Sequence, residues 1–234
     1  MYPFVNHTWN SLTSIFFPEN CCGCGEGLMK NETFLCLTCL HHLPYTNFES
    51  NMDNPATKIF NGRFPFTGGT SFLYFSKSGI VQSVLHELKY QQNKELGMWL
   101  GGRMGQQLAP WIAQQQINMV IPVPLHPRKE KIRGYNQSGL LAESIALANN
   151  LSYSSNILIR RTFTDSQTRK SRIDRWENVA EMFQLTDKKA LQNQKVLLVD
   201  DVLTTGATLE ACALALQDVS GIQIYFATLA IAKD

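Results

Sequence analysis

Two periods of hydrophobicity alternate along most of the chain, and each change of period marks an element. Val196-Leu-Leu-Val199 is a continuous apolar run with β-branched ends, the pattern of a strand buried on both faces of a parallel sheet. The run stops at Asp200 and Asp201. A polar turn, Thr204-Thr205-Gly206, follows, and Ala207 to Leu216 carry Ala, Leu and Cys in a pattern that predicts a helix. Upstream, Thr70 to Phe75 predict an edge strand, and Gly79 to Tyr90 an amphipathic helix with Ile80, Val84, Leu85 and Leu88 on its inner face. Leu96 to Gln116 predict a second helix, broken or bent near Pro110. Val120 to Leu125 form the next strand, which finishes close to Pro124 because two prolines do not fit a central ladder. A basic loop, His126 to Gln137, leads into a helix from Gln137 to Asn149. Ile157 to Arg161 predict a short strand, Thr162 to Val179 have no apolar period, and Ile222 to Ala230 predict the last strand.

Strand and helix alternating with short connections over residues 66–234 predict an α/β fold, a doubly wound, mostly parallel sheet with ligands at the carboxyl ends of its strands. The loop after Val199 has the chemistry for one. A helix N-terminus offers unpaired N–H groups and the positive end of the macrodipole, so a phosphate fits there. Gly206 lets the backbone approach closely, and the hydroxyls of Thr204, Thr205 and Thr208 can donate to phosphate oxygens. Asp200 and Asp201 would repel an anion; they suit hydroxyl groups or a divalent cation, and a sugar phosphate carries both kinds of feature. A buried strand with a Thr-capped helix is the plain alternative. Arg128 and Arg133 are placed to clamp a second phosphate bidentately, against the plain reading of a solvated loop. Lys89, in the last turn of its helix, complements the dipole or faces the ligand. The segment from Thr162 to Val179 is expected to act as a lid or to be a disordered excursion.

The front of the chain has a different chemistry. Five of the six cysteines lie between positions 21 and 39, in two Cys-x-x-Cys pairs that can give one Zn²⁺ four tetrahedral sulfurs: Cys21, Cys24, Cys36 and Cys39. Cys22 in place of Cys21, or His41 or His42 in place of Cys39, also fits the spacing. Four sulfurs close the coordination shell, which makes the metal structural. So short a piece can hardly fold on apolar burial alone, so the zinc is expected to nucleate it. Asn47 to Gly62 lose periodicity and predict a linker or surface excursion, dividing the chain into a zinc-binding module with linker at 1–62 and a second domain at 63–234.

Composition sets limits on the rest. With 17% charged and 44% hydrophobic residues, the 234-residue chain has a globular balance, and a net charge of +2 does not by itself argue for nucleic acid. The positive charge is local: Arg128, Lys129, Lys131 and Arg133 form one knot, and Arg160, Arg161, Arg169, Lys170, Arg172 and Arg175 another, where a polyanion would bind. No apolar run is long enough to span a bilayer and the N-terminus lacks a signal-peptide pattern, so a cytoplasmic protein without membrane insertion is expected. A reducing compartment agrees with metal-binding cysteines.

Val196-Leu-Leu-Val-Asp-Asp-Val-Leu-Thr-Thr-Gly-Ala-Thr208 resembles, at every position, the binding signature for 5-phosphoribosyl-1-pyrophosphate (PRPP) in the type I phosphoribosyltransferases. Taken with Phe17-Pro18-x-x-Cys21-x-x-Cys24-Gly25, Leu88-Lys89-Tyr90, Pro122-Val-Pro124, Arg133-Gly-Tyr-Asn-Gln137, Leu158-Ile-Arg-Arg161 and Arg175-x-x-Asn178-Val179, the chain resembles the ComF family, which includes GntX-like proteins. That resemblance implies a zinc knuckle joined to a phosphoribosyltransferase-like domain and a link to DNA uptake in competence. It implies that Asp200 and Asp201 take the ribose hydroxyls, that Thr204, Thr205, Gly206, Ala207 and Thr208 hold the 5-phosphate, and that Mg²⁺ accompanies PRPP. It further implies that the Arg128 and Arg133 segment holds pyrophosphate, that Lys89 belongs to the PRPP-binding set, and that Arg161, with Thr162, Gln167 and Arg175, belongs to a loop closing over the reaction. Two functions follow from it. One is a phosphoribosyltransferase that releases pyrophosphate; the other is a non-catalytic PRPP sensor or single-stranded-DNA-binding accessory of the uptake machinery, with Tyr135 and Trp176 as candidate stacking aromatics. About 60 residues of cysteine module and linker are too few for an ammonia-releasing domain, so glutamine-dependent amination is not expected.

Overall fold

The computed structural model describes residues 19–160 and 182–232. Along them run α1 (Leu37–His41), α2 (Pro55–Lys58), β1 (Gly68–Phe75), α3 (Ile80–Tyr90), α4 (Lys94–Gln115), β2 (Met119–Pro122), α5 (Pro127–Arg133), α6 (Gln137–Asn149), β3 (Ser152–Tyr153), β4 (Leu158–Arg160), β5 (Phe183–Leu185), β6 (Lys195–Leu203), α7 (Ala207–Leu216) and β7 (Gln223–Ala232). Five strands form one sheet in the order β1-β7-β6-β2-β3, every neighbouring pair parallel. β1 is an edge strand, as its sequence predicts, and β6 is the middle one.

Side chains of β6 point alternately to two cores. Leu197 and Val199 pack with α3, α4 and α6, whereas Val196 and Leu198 pack with α7 on the other face. A strand covered on both sides has no reason to alternate polar and apolar residues, which explains its unbroken run. The fold is therefore α/β and doubly wound, with the acidic pair near the carboxyl end of its central strand.

Several expectations change. α4 continues without a break through Pro110, because Leu108, Trp111 and Ile112 bury on both sides of the proline and their packing outweighs one lost backbone bond. α4 also meets α6 closely; a Cβ on Gly101 would lie 2.8 Å from the Leu141 carbonyl oxygen. The expected basic loop after β2 contains a short helix, α5, capped by His126 and opened by Pro127. It escapes periodicity because it buries no residue. β4 does not extend the parallel sheet but pairs antiparallel with β5 in a separate two-stranded sheet, since three residues carry no signal about their partner's direction. The segment opening at Arg161 thus follows a strand of that small sheet; Arg161, Thr162, Gln167, Arg175, Trp176 and Asn178 lie outside the described residues.

Residues 47–62, expected as a linker or surface excursion, hold a 3-10 turn at Phe48–Ser50 and α2. Phe48, Ala56 and Phe60 are buried in the core that contains α7. Asn54 caps α2 with its side-chain oxygen while its Nδ2 donates to the Gly69 carbonyl at 2.8 Å. The cysteine segment meets the opposite face: Cys21, Leu35, Cys39 and Leu43 join the core that contains α3 and α4, and the rings of Phe34 and Trp99 lie 5.8 Å apart.

Candidate functional site

Register brings the site together. Pro122 of β2 stands opposite Val199 of β6, and the Val123 amide donates to the Val199 carbonyl at 2.8 Å, so the chain leaving β2 passes beside Asp200. Asp200 Oδ1 accepts from the Asp201 amide at 2.9 Å and from Ser138 Oγ, in the first turn of α6, at 2.9 Å. Lys89 Nζ lies 2.9 Å from Asp201 Oδ2. Loss of solvent, and then the neighbouring Asp201 carboxylate, push the Asp200 carboxyl up to about 7, against the pull of the Asp201 amide, Ser138 and Lys89. At neutral pH this carboxyl can donate as well as accept, a useful property opposite sugar hydroxyls.

The loop that follows is open where a ligand needs it and packed where the fold needs it. Thr204, Thr205, Ala207 and Thr208 are exposed; Gly206 is buried and caps α7 at φ +75°. A Cβ on Gly206 would stand 2.6 Å from the Phe60 ring, so only glycine fits both the dihedral and the space. Arg63 Nη1 donates to the Thr205 carbonyl at 2.6 Å, and its Nη2 pairs with Glu210 in the first turn of α7.

The run Arg133 to Gln137 is mostly architecture. Arg133 Nη1 donates to Gln137 Oε1 at 2.8 Å with its guanidinium 5.8 Å from the Tyr90 ring centre. Gly134 ends α5 at φ +79°. The Tyr135 hydroxyl donates to the Leu88 carbonyl at 2.5 Å, and Asn136 donates to the Val123 carbonyl at 2.9 Å. These bonds fix the end of α3, and hence Lys89, against the β2 connection. Tyr135 is 7% exposed, which removes it as a stacking platform. Arg128 is exposed in the first turn of α5. The structure thus brings Lys89, Asp200 and Asp201 together just ahead of the threonine loop, while Arg133 turns to Gln137 and Tyr90 rather than to the acids.

Sequence reasoning did not find Ser138, Phe60, Arg63 or Glu210. Ser138 directly follows a quoted motif and was within reach. Phe60 and Arg63 lie in and beside an aperiodic stretch, and no local pattern points to them.

At the front, the sulfurs of Cys21, Cys24, Cys36 and Cys39 all lie within 4.8 Å of one another. Cys24 Sγ and Cys36 Sγ are 3.8 Å apart, which matches the edge of a tetrahedron with metal–sulfur bonds of about 2.3 Å. Cys21 Sγ accepts from the amides of Gly23 (3.4 Å) and Cys36 (3.2 Å), and Cys36 Sγ from the Cys39 amide (3.4 Å), donors that stabilise thiolates. The four could hold a zinc ion. The alternatives fall away: burial, and then Glu87, push the Cys22 thiol up to about 11, and His41 and His42 stand outside the cluster with their rings 5.3 Å apart.

Residues 139–234 match the family model described as the phosphoribosyl transferase domain. That span includes the acidic pair and the loop behind it. The chain is 38% identical over 91 residues to Competence protein F of Haemophilus influenzae and 32% identical over 95 residues to Competence protein ComFC of Bacillus subtilis. It is 29% identical over 135 residues to the DNA utilization protein YhgH of Salmonella typhi. These similarities support a ComF-family protein. The matches take in 38%, 41% and 56% of this chain and span 40%, 36% and 58% of those relatives' lengths. The sheet described above is thus the phosphoribosyltransferase-like part and the sulfur cluster the part able to bind zinc. Among the described residues no helix is long and apolar enough to cross a membrane.

Proposed function

We propose that this ComF-family protein binds PRPP with Mg²⁺ and transfers its phosphoribosyl group with release of pyrophosphate. The observation that carries the reading is Gly206, held at φ +75° as the cap of α7, on the loop that leaves the central strand just after its two carboxylates and Leu203. In this reading the N–H groups opening α7 and the hydroxyls of Thr204, Thr205 and Thr208 take the 5-phosphate. Asp200 and Asp201 take the ribose hydroxyls, and Lys89 exchanges Asp201 for the ligand as it binds. The acceptor forms a bond to C1 of the ribose as the bond from C1 to pyrophosphate breaks. Arg128 stabilises the charge that leaves, and Arg133 joins it by releasing Gln137 and Tyr90. No base is assigned, because an amine or heterocyclic nitrogen acceptor brings its own electron pair. In this reading the reaction, or the binding alone, serves DNA uptake during competence in the cytoplasm, alongside other proteins of that machinery; the relatives' names, competence protein and DNA utilization protein, support the link to DNA.

Calorimetry with PRPP and Mg²⁺, followed by pyrophosphate release with a panel of bases and amines, tests this. Saturable heat together with turnover is expected. Binding without turnover for any acceptor would leave a PRPP sensor, and no binding at all would end the reading. Salt-sensitive binding of single-stranded DNA that persists in Asp200→Ala would favour the accessory role, which has lost Tyr135 as a platform.

A further inference from the structure

We infer that Arg63, outside every motif that marks the site, is a positioning residue that sets the threonine loop for the 5-phosphate. The inference rests on the PRPP reading above. One guanidinium reaches three acceptors: the Thr205 carbonyl at 2.6 Å, the carboxylate of Glu210 and, within its own segment, the Ile59 carbonyl at 3.3 Å. It also lies 5.8 Å from the centre of the Phe60 ring, and that same ring closes the space behind Gly206. A fork of fixed planar geometry joins the first two acceptors and so determines the spacing between the loop and the first turn of α7.

Two consequences follow for an incoming phosphate. First, turning the Thr205 carbonyl toward Arg63 occupies the oxygen of that peptide group, so the loop is held with its acceptor away from the anion and its following amides available. Second, Glu210 places a negative charge in the first turn of α7, where the phosphate would bind. Arg63 neutralises it. Without Arg63 the site would face the phosphate with an uncompensated carboxylate and an unanchored loop.

The effect should be confined to ligands bearing the 5-phosphate. Arg63→Ala is expected to weaken ribose 5-phosphate and PRPP about tenfold or more, the scale of one charge-assisted hydrogen bond, and to leave the affinity for pyrophosphate unchanged. Adding Glu210→Gln to Arg63→Ala should recover part of the loss, since the repulsion goes with the charge. Arg63→Lys, which keeps the charge but not the fork, should fall between and serves if the alanine variant folds poorly. A general packing defect would lower all affinities together and would not be relieved by Glu210→Gln. Equal ribose 5-phosphate binding by wild type and Arg63→Lys or Arg63→Ala overturns this inference and leaves the PRPP reading standing. A wild-type protein that ignores ribose 5-phosphate overturns both.

Discussion

Two stretches meet at the mouth of the site and are built on opposite principles. Residues 199–208 declare themselves: two acids, then threonines around a glycine, each with a chemical reason to sit beside its neighbour. Residues 54–64 show nothing of the kind, yet they supply the Asn54 cap, the Phe60 ring behind Gly206 and the Arg63 fork on Thr205. The first stretch carries chemistry that local order can express. The second carries packing against a segment some 140 residues away, and only the tertiary fold expresses that.

The sharpest break should come from the sulfur cluster, which shares the first stretch's explicitness. Cys36→Ser removes one of four ligands and should abolish the single equivalent of zinc expected in the purified protein. The front should then lose several kcal/mol of stability, because metal affinity is folding energy in so small a piece. Metal analysis and thermal melting read both effects, and a variant that keeps its melting profile would show the cluster to be dispensable.

Next comes the unmarked stretch. Phe60→Ala should cost about 3–5 kcal/mol in urea unfolding, as large core truncations do, whereas Thr205→Ala, at an exposed position, should stay within about 0.5 kcal/mol. The two stretches would exchange rank in PRPP affinity, where the threonine matters directly. If Phe60→Ala were as mild as Thr205→Ala, the contrast between chemistry and packing would not hold.

The smallest effect is a gain. Asp200 ionises near about 7 in the folded chain against an ordinary 3.8, so between those values the folded state holds the extra proton. Stability of the unliganded protein should therefore fall as pH rises from about 4 through about 7, and Asp200→Asn should remove that fall. The variant keeps an oxygen for Ser138 and the Asp201 amide, and should be more stable at pH 8 by roughly 1–3 kcal/mol. Urea titrations at pH 5 and pH 8 check this; an unchanged pH slope would place the titrating group elsewhere.

Much of the fold was legible because burial on one or two faces leaves a period. β6 announced itself by an unbroken apolar run, and α3 by Val84, Leu85 and Leu88. α5 was missed because it is charged all round and buries nothing, and the antiparallel partner of β4 because three residues carry no orientation. In the site, Asp200, Asp201 and Lys89 were nameable in advance. Ser138 adjoins a legible motif, but its bond to Asp200 depends on the register between β2 and β6, which the local sequence does not carry.

One helix links the two chemistries. The cysteine segment rests against α3 and the start of α4, with Glu87 close enough to Cys22 to raise its thiol, and two residues farther along Lys89 holds Asp201. Two residues on a helix are about 3 Å of rise. With sulfur cluster and acidic pair braced on a common beam, loosening of the front is expected to reach the centre.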